Sequence, residues 1–525
     1  MTSISPSTSS DSERPVAYFC AEYALDSNLP IYAGGLGILA GDYIREVNDQ
    51  GLNVVGVGIY YRDQNYYRPD VVKDAGGSRL LITVPIQDRQ VWCQIMRVVI
   101  GNVPVYLLDS DVGENIPTDR MVTHKLYVSD KEVRFKQEII LGIGGLRALE
   151  AMGIHPMMYH LNEGHSALLT LELVRHEMVE KKIGFEEAVK RVRQGVVFSN
   201  HTLVAAGQEI YSDDLVSLML AGYATEAGLP VSDIVKLGQV QETSIFSMTM
   251  LSLRMCERVN AVCKLHAQKA LEVWKGHPME TVTNGIHIPT WDQVKGENLW
   301  EAHQRNKQRL LDHIVDQAGA KWSPDTLLLG WARRFVEYKR PLALFEDLER
   351  FVTMASSADR PVRVVMAGEP HESDEAGRVM IDRLKEMIKT KLNGLVVYLP
   401  GYNFEMGKLL TAGCDVWLNT PIVGFEACGT SGMKAALNGN LPCSTLDGWV
   451  AEVEMYKVGW LVNSDNVGQD LLSVLERDIA PLYYDQREEW KTLMGNARQM
   501  TLNQFSATRM VKDYLYKLYL PKTTT

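Results

Sequence analysis

The stretch Leu327-Leu-Leu-Gly-Trp-Ala-Arg-Arg-Phe-Val-Glu-Tyr-Lys-Arg340 indicates the fold class, because an apolar run of strand length passes directly into a segment with four cations. A short apolar run is consistent with a fully buried parallel strand. In open α/β sheets, ligands bind beyond the carboxyl ends of the strands. We therefore predict a strand over residues 327–332 followed by an anion-binding loop. A solvated run of charge is the alternative for residues 333–340.

Strand-length and helix-length segments alternate on both sides of this stretch, which is the pattern of an α/β domain. The predicted strands of a first series cover residues 17–20, 53–61, 80–86, 98–108, 156–160 and 195–199, and those of a second series cover 327–332, 362–367, 395–399, 416–419 and 443–446. Residues 80–108 resemble an antiparallel meander. The predicted fold is α/β, with two Rossmann-like domains facing across a cleft that holds the ligand site.

Turn signals and composition place the predicted boundaries. Residues 1–15 are rich in Ser and Thr and are predicted to be a flexible N-terminal segment. An N-terminal α/β domain is predicted for residues 16–287, ending at the Asn-Gly and Pro signals of residues 284–291. A C-terminal α/β domain covers residues 288–503. Residues 504–525 are predicted to form a C-terminal helix and tail that pack back across the domains.

The composition is that of a soluble globular protein. Hydrophobic residues make up 46% and charged residues 23% of the 525 residues, and no apolar run approaches the length of about 18 residues that indicates a membrane span. The N-terminal residues lack the basic and apolar regions of a signal peptide, so export is not expected. Seven scattered cysteines without CxxC pairs fit a reducing cytoplasm, and a net charge of −11 disfavours nucleic acid or an anionic membrane as partner.

A small-residue turn, Phe425-Glu-Ala-Cys-Gly-Thr-Ser-Gly-Met-Lys434, leads into a helix predicted over residues 433–438. The N–H groups at such a helix start bind anions, so a phosphorylated ligand fits this turn. Lys434 can pair with a phosphate as a point charge, or form a Schiff base with an aldehyde cofactor if its amine is desolvated. The alternative is a glycine-rich turn that caps a helix with a solvated lysine at its start.

Three segments of the first series are further candidates. Tyr32-Ala-Gly-Gly-Leu-Gly-Ile-Leu-Ala-Gly-Asp42 is a glycine loop before a helix predicted over 38–48; it can bring N–H groups close to a ligand, although a structural turn suits it equally. His160-Leu-Asn-Glu-Gly-His165 and Ser199-Asn-His-Thr202 follow apolar strands and carry groups that can hydrogen-bond sugar hydroxyls. A single His-x-x-Glu-x-His is not a recognised zinc spacing, so no metal is predicted.

Together and in this order, these segments resemble the α-glucan (glycogen, starch and maltodextrin) phosphorylases, in a short form. The resemblance runs in patches from Tyr18 to Pro521 and rests on these motifs: Glu22-Tyr23, Gly34-Gly-Leu-Gly37, Asn162-Glu-Gly-His165, His201-Thr202, Thr283-Asn-Gly-Ile286, Arg334 to Arg340, Tyr402-Asn403, Glu426 to Lys434, Leu437-Asn-Gly439, Leu446-Asp-Gly448, Arg509-Met-Val-Lys512 and Tyr519-Leu-Pro521. It implies a glycosyltransferase-B fold, pyridoxal 5′-phosphate as cofactor, and reversible phosphorolysis of terminal α-1,4-linked glucose to α-glucose 1-phosphate with retention.

The resemblance also implies a role for each matching residue. Lys434 is the implied Schiff-base lysine, and the implied contacts of the cofactor phosphate are Gly429, Thr430, Arg333, Gly34 and Gly35. The implied catalytic set is Lys434, Arg334, Lys339, His201 and Glu426, of which Arg334 and Lys339 bind the substrate phosphate together with the Gly35 backbone. The implied sugar contacts are Gly35, Leu36, Glu163, His165, His201, Asn284, Tyr338, Glu426, Cys428 and Gly429.

The implied partners are an α-glucan or maltodextrin and inorganic phosphate or glucose 1-phosphate, and a homodimer is one assembly that the resemblance allows. Val336, Asn403 and Glu369 depart from the common family pattern, and few residues precede Tyr18, so control through an N-terminal arm is not expected. Two alternatives stay open. One is a sugar-nucleotide-dependent glucan glycosyltransferase of the same fold, which has no need of the amine of Lys434. The other is an inactive glucan-binding relative.

Overall fold

The computed structural model describes residues 14–63, 67–203, 209–241, 243–371 and 374–520. The chain divides into two compact units. The first comprises the chain up to Val262, Ala270–Val282 and the part from Val511, and the second comprises Cys263–Lys269 and Thr283–Met510. Most of the predicted N-terminal segment and the predicted tail after residue 520 lie outside the described residues. The domain boundaries proposed from the sequence stay predictions.

Among the described residues, the first unit contains fourteen strands, nine complete α-helices and the end of a tenth. Its strands are β1 (Val16–Phe19), β2 (Tyr23–Asp26), β3 (Leu29–Ile31), β4 (Val54–Ile59), β5 (Asp70–Val71), β6 (Leu81–Ile86), β7 (Arg89–Ile100), β8 (Val103–Asp109), β9 (Met158–Asn162), β10 (Val196–Asn200), β11 (Ile210–Ser212), β12 (Ile245–Ser247), β13 (Arg258–Ala261) and β14 (Glu280–Thr281). Its helices are α1 (Gly35–Asp49), α2 (Pro117–Arg120), α3 (Lys131–Ile139), α4 (Gly145–Ala151), α5 (Leu169–Lys181), α6 (Phe185–Val192), α7 (Asp213–Ala227), α8 (Val231–Gly238), α9 (Met248–Met255) and the second half of α10 (Lys264–Val273).

The main sheet of this unit has the order β14-β13-β10-β9-β1-β4-β8-β7-β5, with β6 paired to β7. The pairs from β14 to β8 are parallel, whereas β5, β6 and β8 each pair with β7 in antiparallel fashion. The first strand, β1, lies between β4 and β9, so the order of the parallel strands reverses there. Ligands of open α/β sheets bind at such a topological switch point.

One predicted strand of the first unit is wrong. Residues 98–108 do not form a single strand but the adjoining ends of β7 and β8, with Ile100 opposite Val103. Gly101 has φ +59°, a left-handed conformation that favours glycine, and Gly101-Asn102 forms the two-residue hairpin loop. The predicted antiparallel meander over 80–108 is confirmed as β6, β7 and β8.

The second unit contains six strands and the remaining helices. Its strands are β15 (Leu327–Ala332), β16 (Val362–Ala367), β17 (Val396–Leu399), β18 (Val416–Asn419), β19 (Leu441–Ser444) and β20 (Trp460–Leu461). Its helices are α11 (Ile288–Trp291), α12 (Leu299–Ala318), α13 (Leu348–Ala355), α14 (Glu375–Thr390), α15 (Phe404–Gly413), α16 (Thr430–Leu437), α17 (Val467–Val474), α18 (Ala480–Asp485), α19 (Arg487–Gln504) and the first half of α20 (Ala507–Tyr514).

The six strands of the second unit form a parallel sheet in the order β17-β16-β15-β18-β19-β20. Counted along the chain this order is 3-2-1-4-5-6, which is that of the Rossmann fold, with the switch point between β15 and β18. The strand predicted over 443–446 ends earlier, at Ser444, because Thr445 and Asp447 form a turn. The predicted α/β class is confirmed in both units.

The core of the second unit packs α12 and α15 against the sheet. Leu310, Cys414 and Trp417 belong to one buried cluster that also includes Leu328. Gly330 permits this contact, because a Cβ there would lie 2.5 Å from Cys414 Sγ. Among the helices of the described residues, none is long and apolar enough to cross a membrane.

Candidate active site

The loops after β15 and β18 supply a carboxylate and two cations at the switch point of the second unit. Arg333 directly follows β15, and Lys339 ends a short 3₁₀ turn in the same loop. Glu426 lies in the loop after β18. Arg333 Nη2 lies 3.0 Å from Glu426 Oε1, and Lys339 Nζ lies 3.5 Å from Glu426 Oε2. The structure therefore brings three predicted site residues into direct ionic contact.

Burial and neighbouring charge together set the protonation of these groups. Burial alone would raise the pKa of Glu426, but the charges of Arg333 and Lys339 outweigh it and hold that pKa below its ordinary value. Burial lowers the pKa of Lys339 to about 8, an effect that Glu426 opposes and that the two arginines strengthen. Lys339 therefore titrates much closer to neutral pH than an ordinary lysine does.

The turn before α16 offers backbone N–H groups to a ligand. Gly429 has φ +85°, and a Cβ there would lie 3.4 Å from Arg333 Nη2. The helix begins at Thr430, and the first N–H groups of an α-helix have no acceptor within the helix. These groups, together with the nearby guanidinium of Arg333, suit a phosphate.

Lys434 lies on α16 in a desolvated environment. Only 6% of its surface is exposed, and its Nζ lies 3.9 Å from the centroid of the Trp291 ring. Asn438 Nδ2 donates to the carbonyl groups of both Lys434 and Trp291, at 2.9 Å in each case. The alternative of a solvated lysine is therefore wrong. A buried amine on a helix whose start offers N–H groups fits pyridoxal 5′-phosphate, which has one aldehyde and one phosphate.

Two polar residues that the sequence did not single out for a role support this site. Asp447 Oδ2 accepts the N–H of Glu426 at 2.9 Å, and its Oδ1 accepts the N–H of Gly448 at 2.9 Å. Asn419 Oδ1 accepts a hydrogen bond from Arg333 Nη1. The sequence held a signal for each of them. Asp447 lies in the Leu446-Asp-Gly448 motif, and Asn419 lies at the end of β18.

Other predicted sugar contacts of the second unit lie in nearby segments. Asn284 is buried, and its Oδ1 has no hydrogen-bond partner among the residues that the structure describes, so it can accept a hydroxyl. Cys428 is buried, and its carbonyl accepts the N–H of Trp449 at 3.0 Å. The ring of Tyr338 lies 6.0 Å from that of Phe425, beside the Glu426 loop.

The four cations after β15 do not form a single cluster. Arg340 donates through Nε and Nη2 to the carbonyl oxygens of Thr420 and Pro421, each at 2.7 Å, so it stabilises the loop after β18. Arg334 is exposed. The donors of Arg340 are thus used by backbone carbonyls, whereas Arg333 and Lys339 contact Glu426. Arg334 contributes positive charge near Lys339 but no direct contact with Glu426 is described.

In the first unit, Glu163 and His201 lie together beyond β9 and β10. Glu163 Oε2 accepts the N–H of His201 at 2.9 Å, and His201 Nε2 lies 2.6 Å from Asn162 Oδ1. Glu163 has φ +74°, a strained conformation of the kind that clusters at functional sites. Burial raises the pKa of Glu163. The third predicted residue here, His165, lies 3.7 Å from Glu209.

The glycine loop of the first unit leads directly into α1. The helix begins at Gly35, earlier than the predicted residue 38, with Gly35 exposed and Leu36 half-buried in its first turn. Glu22 Oε2 accepts the N–H groups of Ala33 at 2.6 Å and Gly34 at 3.1 Å. Glu22, which lies after β1, thereby fixes the backbone of this loop.

The fold and the site define an α/β protein with Rossmann strand order, an ion cluster beside a glycine-capped helix start and a buried lysine. The family model for carbohydrate phosphorylases matches residues 284–467, which contain the Arg333 loop and the turn up to Lys434. The chain belongs to the carbohydrate phosphorylase family, which has the glycosyltransferase-B fold. The family and fold predicted from the sequence are confirmed.

Three relatives show how far the similarity extends. The chain is 34% identical to maltodextrin phosphorylase of Thermococcus litoralis, over 97% of this chain and 70% of that protein. It is 32% identical to glycogen phosphorylase of Aquifex aeolicus, over 97% of this chain and 86% of that protein. It is also 31% identical to an uncharacterized protein of Methanocaldococcus jannaschii, over 96% of this chain and 100% of that protein.

Proposed function

We propose that this chain is a pyridoxal 5′-phosphate-dependent α-1,4-glucan phosphorylase, which reversibly converts terminal glucose units to α-glucose 1-phosphate with retention of configuration. The observation that carries the proposal is the contact of Arg333 and Lys339 with Glu426, next to a helix start that leads to the buried Lys434. Such a site has cations for phosphate and a carboxylate for sugar hydroxyls. The names of the relatives from Thermococcus litoralis and Aquifex aeolicus support the same activity.

The proposed cofactor contacts are of two kinds: an amine for its aldehyde and an anion site for its phosphate. Lys434 would hold the aldehyde carbon, and its burial excludes water from the amine. The residues proposed to hold the cofactor phosphate are Gly429, Thr430, Arg333, Gly34 and Gly35. When bound, this cofactor supplies a phosphate group that can exchange a proton with the substrate phosphate.

The remaining residues are proposed to bind the substrates. Lys339, Arg334 and the backbone of Gly35 hold the substrate phosphate, which protonates the glycosidic oxygen as the bond from C1 breaks. A phosphate oxygen then attacks C1 from the same face, which retains the configuration. Glu426 and Tyr338 orient the 2- and 3-hydroxyls, and His201 and Asn284 the 6-hydroxyl. The other proposed sugar contacts are Leu36, Glu163, His165, Cys428 and Gly429.

The cysteines support a proposal on location, and the family resemblance allows one on assembly. All seven cysteines are free and buried, which suits the proposed cytoplasmic location. A homodimer is the proposed assembly, and sedimentation of the purified protein at several concentrations checks it. A monomer at every concentration would exclude the dimer without affecting the proposed activity.

Absorbance spectroscopy followed by borohydride reduction tests the proposed cofactor. The purified protein is expected to absorb in the near ultraviolet or visible range, and reduction should fix the cofactor covalently on the peptide containing Lys434. The Lys434→Arg variant is the matched control and should carry no label. A colourless protein that stays inactive after addition of pyridoxal 5′-phosphate would contradict the proposal. Glucose transfer from a sugar nucleotide by that protein would favour the glycosyltransferase alternative.

A further inference from the structure

A series of polar contacts in the first unit connects His165 with the glycine loop through residues that have no role in the proposal so far. Glu209 Oε1 accepts a hydrogen bond from Arg134 Nη2 and lies 3.7 Å from His165 Nε2. The guanidinium carbon of Arg134 lies 4.3 Å from the centroid of the Tyr127 ring. Tyr127 Oη donates to Glu22 Oε1 at 2.7 Å, and Glu22 in turn accepts the N–H of Gly34.

The two ends of this series lie beyond neighbouring strands at the switch point of the first unit. Glu22 lies after β1, and His165 lies in the short 3₁₀ turn Gly164–Ser166 after β9. These strands pair in parallel and mark the place where the strand order reverses. This edge of the sheet is where an α/β unit binds its ligand.

The ion pair between Arg134 and Glu209 is largely removed from water. The side chain of Arg134 is 7% exposed and that of Glu209 is 18% exposed. Burial alone would raise the pKa of Glu209, but contact with His165 and the charge of Arg134 outweigh it and hold the pKa well below its ordinary value. Glu209 is therefore a carboxylate, and loss of either partner leaves a charge that is poorly solvated.

The two ring nitrogens of His165 have different surroundings. Nε2 lies on the side of the Glu209 carboxylate, which favours a proton on that nitrogen. Nδ1 is buried and has no hydrogen-bond partner among the residues that the structure describes. A histidine ring nitrogen donates or accepts according to whether it carries a proton, and a sugar hydroxyl can match it in either case. A buried polar atom without a partner is costly unless a ligand supplies one, and a sugar hydroxyl is such a partner.

We propose that Glu209 and Arg134 are positioning residues for glucan binding: Arg134 holds Glu209, and Glu209 orients the His165 ring so that Nδ1 forms a hydrogen bond with a hydroxyl of the glucan. This inference rests on the proposed phosphorylase function. Glu209→Gln removes the charge while keeping the size of the side chain, and Arg134→Lys keeps the charge but not the planar fork of guanidinium donors.

A double-mutant cycle, followed by the kinetics with maltodextrin, shows whether Glu209 positions His165 or only stabilises the fold. Glu209→Gln should lower kcat/KM for maltodextrin about tenfold or more, mainly through KM, since the His165 ring loses the charged partner that orients it and its hydrogen bond to the glucan is lost. The KM for phosphate should be unchanged. In the His165→Ala background, Glu209→Gln should have no further effect, because the ring that it orients is absent. Arg134→Lys should lower kcat/KM by a smaller factor, and this effect should also disappear in the His165→Ala background.

A buried ion pair elsewhere in the same unit gives a matched control. Arg147 Nε lies 2.8 Å from Glu172 Oε1, so Arg147→Met should lower thermal stability while leaving the KM for maltodextrin unchanged. If Glu209→Gln lowers kcat/KM by the same factor in both His165 backgrounds, the positioning role is wrong. If the wild type forms no glucose 1-phosphate, the proposed function fails instead. In that case, maltodextrin affinity is measured by calorimetry in the same variants. The positioning role is supported if Glu209→Gln weakens binding only when His165 is present.

Discussion

Glu426 is the residue whose neighbours most influence the proposed reaction, because it contacts two cations with different proposed roles. Arg333 is proposed to hold the cofactor phosphate, and Lys339 is proposed to hold the substrate phosphate. The carboxylate of Glu426 contacts both of them. It therefore offsets positive charge that would otherwise repel within a buried site. This arrangement makes the charge of Lys339 sensitive to pH and to Glu426 itself.

The pH dependence of phosphate use should reveal the charge of Lys339. Its pKa lies at about 8, below that of an ordinary lysine, so the cation is lost as pH rises through this value. The kcat/KM for phosphate should fall over the same range. Glu426→Gln removes a charge that raises the pKa of Lys339 and should move the fall to lower pH. Lys339→Arg, whose side chain stays charged, should lack this fall; its persistence in that variant would exclude Lys339 as the cause.

Removal of the Lys339 side chain should weaken binding of the substrate phosphate more than binding of the cofactor. Lys339→Ala is expected to raise the KM for phosphate about tenfold or more, because a charge-assisted contact in a buried site is lost. The content of pyridoxal 5′-phosphate should stay as in the wild type. Lys408→Ala is the control, since Lys408 contacts Glu405 on α15 at 3.3 Å and has no proposed role. An unchanged dependence on phosphate in Lys339→Ala would remove this residue from the proposed site.

The sequence could identify single site residues but not all of their partners. Lys434 and Gly429 lie in one short motif that the sequence alone reveals, but they contact Trp291 and Arg333, which lie far away along the chain. Asp447, Asn419 and Glu209 act through partners elsewhere along the chain; Asn419, for example, lies 86 positions after Arg333. Such pairs exist only after the strands have been ordered in the sheet, which periodicity does not specify.

At the scale of the element, the turn into α16 depends on a glycine with a left-handed conformation. Gly429 places no side chain near Arg333 or Glu426, and α16 begins directly after it. The bounds of β15, β16 and β18 agree with those predicted, because their apolar runs are continuous. The hairpin within residues 98–108 was missed although Gly101-Asn102 is a recognised hairpin signal. The apolar and β-branched residues on both sides of Gly101-Asn102 favoured one continuous strand instead.

A pair of glycine variants should show whether a substitution at Gly429 only strains the backbone or also disrupts the cofactor phosphate site. Gly429→Ala and Gly394→Ala both place a Cβ at positive φ, +85° and +76°, but nothing lies within 4 Å of the added atom at Gly394. Each should lower the free energy of unfolding by about 1–2 kcal/mol, measured by urea denaturation. Only Gly429→Ala should weaken retention of pyridoxal 5′-phosphate. Equal retention in both variants would argue against this turn as the cofactor phosphate site.

At the scale of the whole molecule, each of the two units has a Rossmann-like order of parallel strands, with predicted site residues beyond the strands at its switch point. The sequence could predict the two series of strands because each alternates with helices. The antiparallel meander over residues 80–108 could also be predicted, but not that it joins the first sheet at β8. Nor could the sequence predict which buried polar groups stabilise the second unit. One such group, Lys307, contacts several elements of the second unit.

The buried network of Lys307 should dominate the stability of the second unit. Its Nζ donates to Asp415 Oδ2 at 2.6 Å and Thr326 O at 2.7 Å, and lies 2.9 Å from Tyr483 Oη. Lys307→Met leaves the buried Asp415 without its cation and should cost about 3–5 kcal/mol in urea denaturation. The double variant Lys307→Met/Asp415→Leu should recover part of this loss. A double variant less stable than Lys307→Met would contradict the proposed charge effect.

The central claim, phosphorolysis of an α-glucan, is tested most directly by the product. Purified protein supplied with pyridoxal 5′-phosphate, maltodextrin and inorganic phosphate is followed by phosphorus-31 nuclear magnetic resonance. The account predicts that α-glucose 1-phosphate forms as the first sugar phosphate, and that Lys434→Ala forms none. The absence of any sugar phosphate from the wild type, with glucose transferred to maltodextrin only from a sugar nucleotide, would contradict the account.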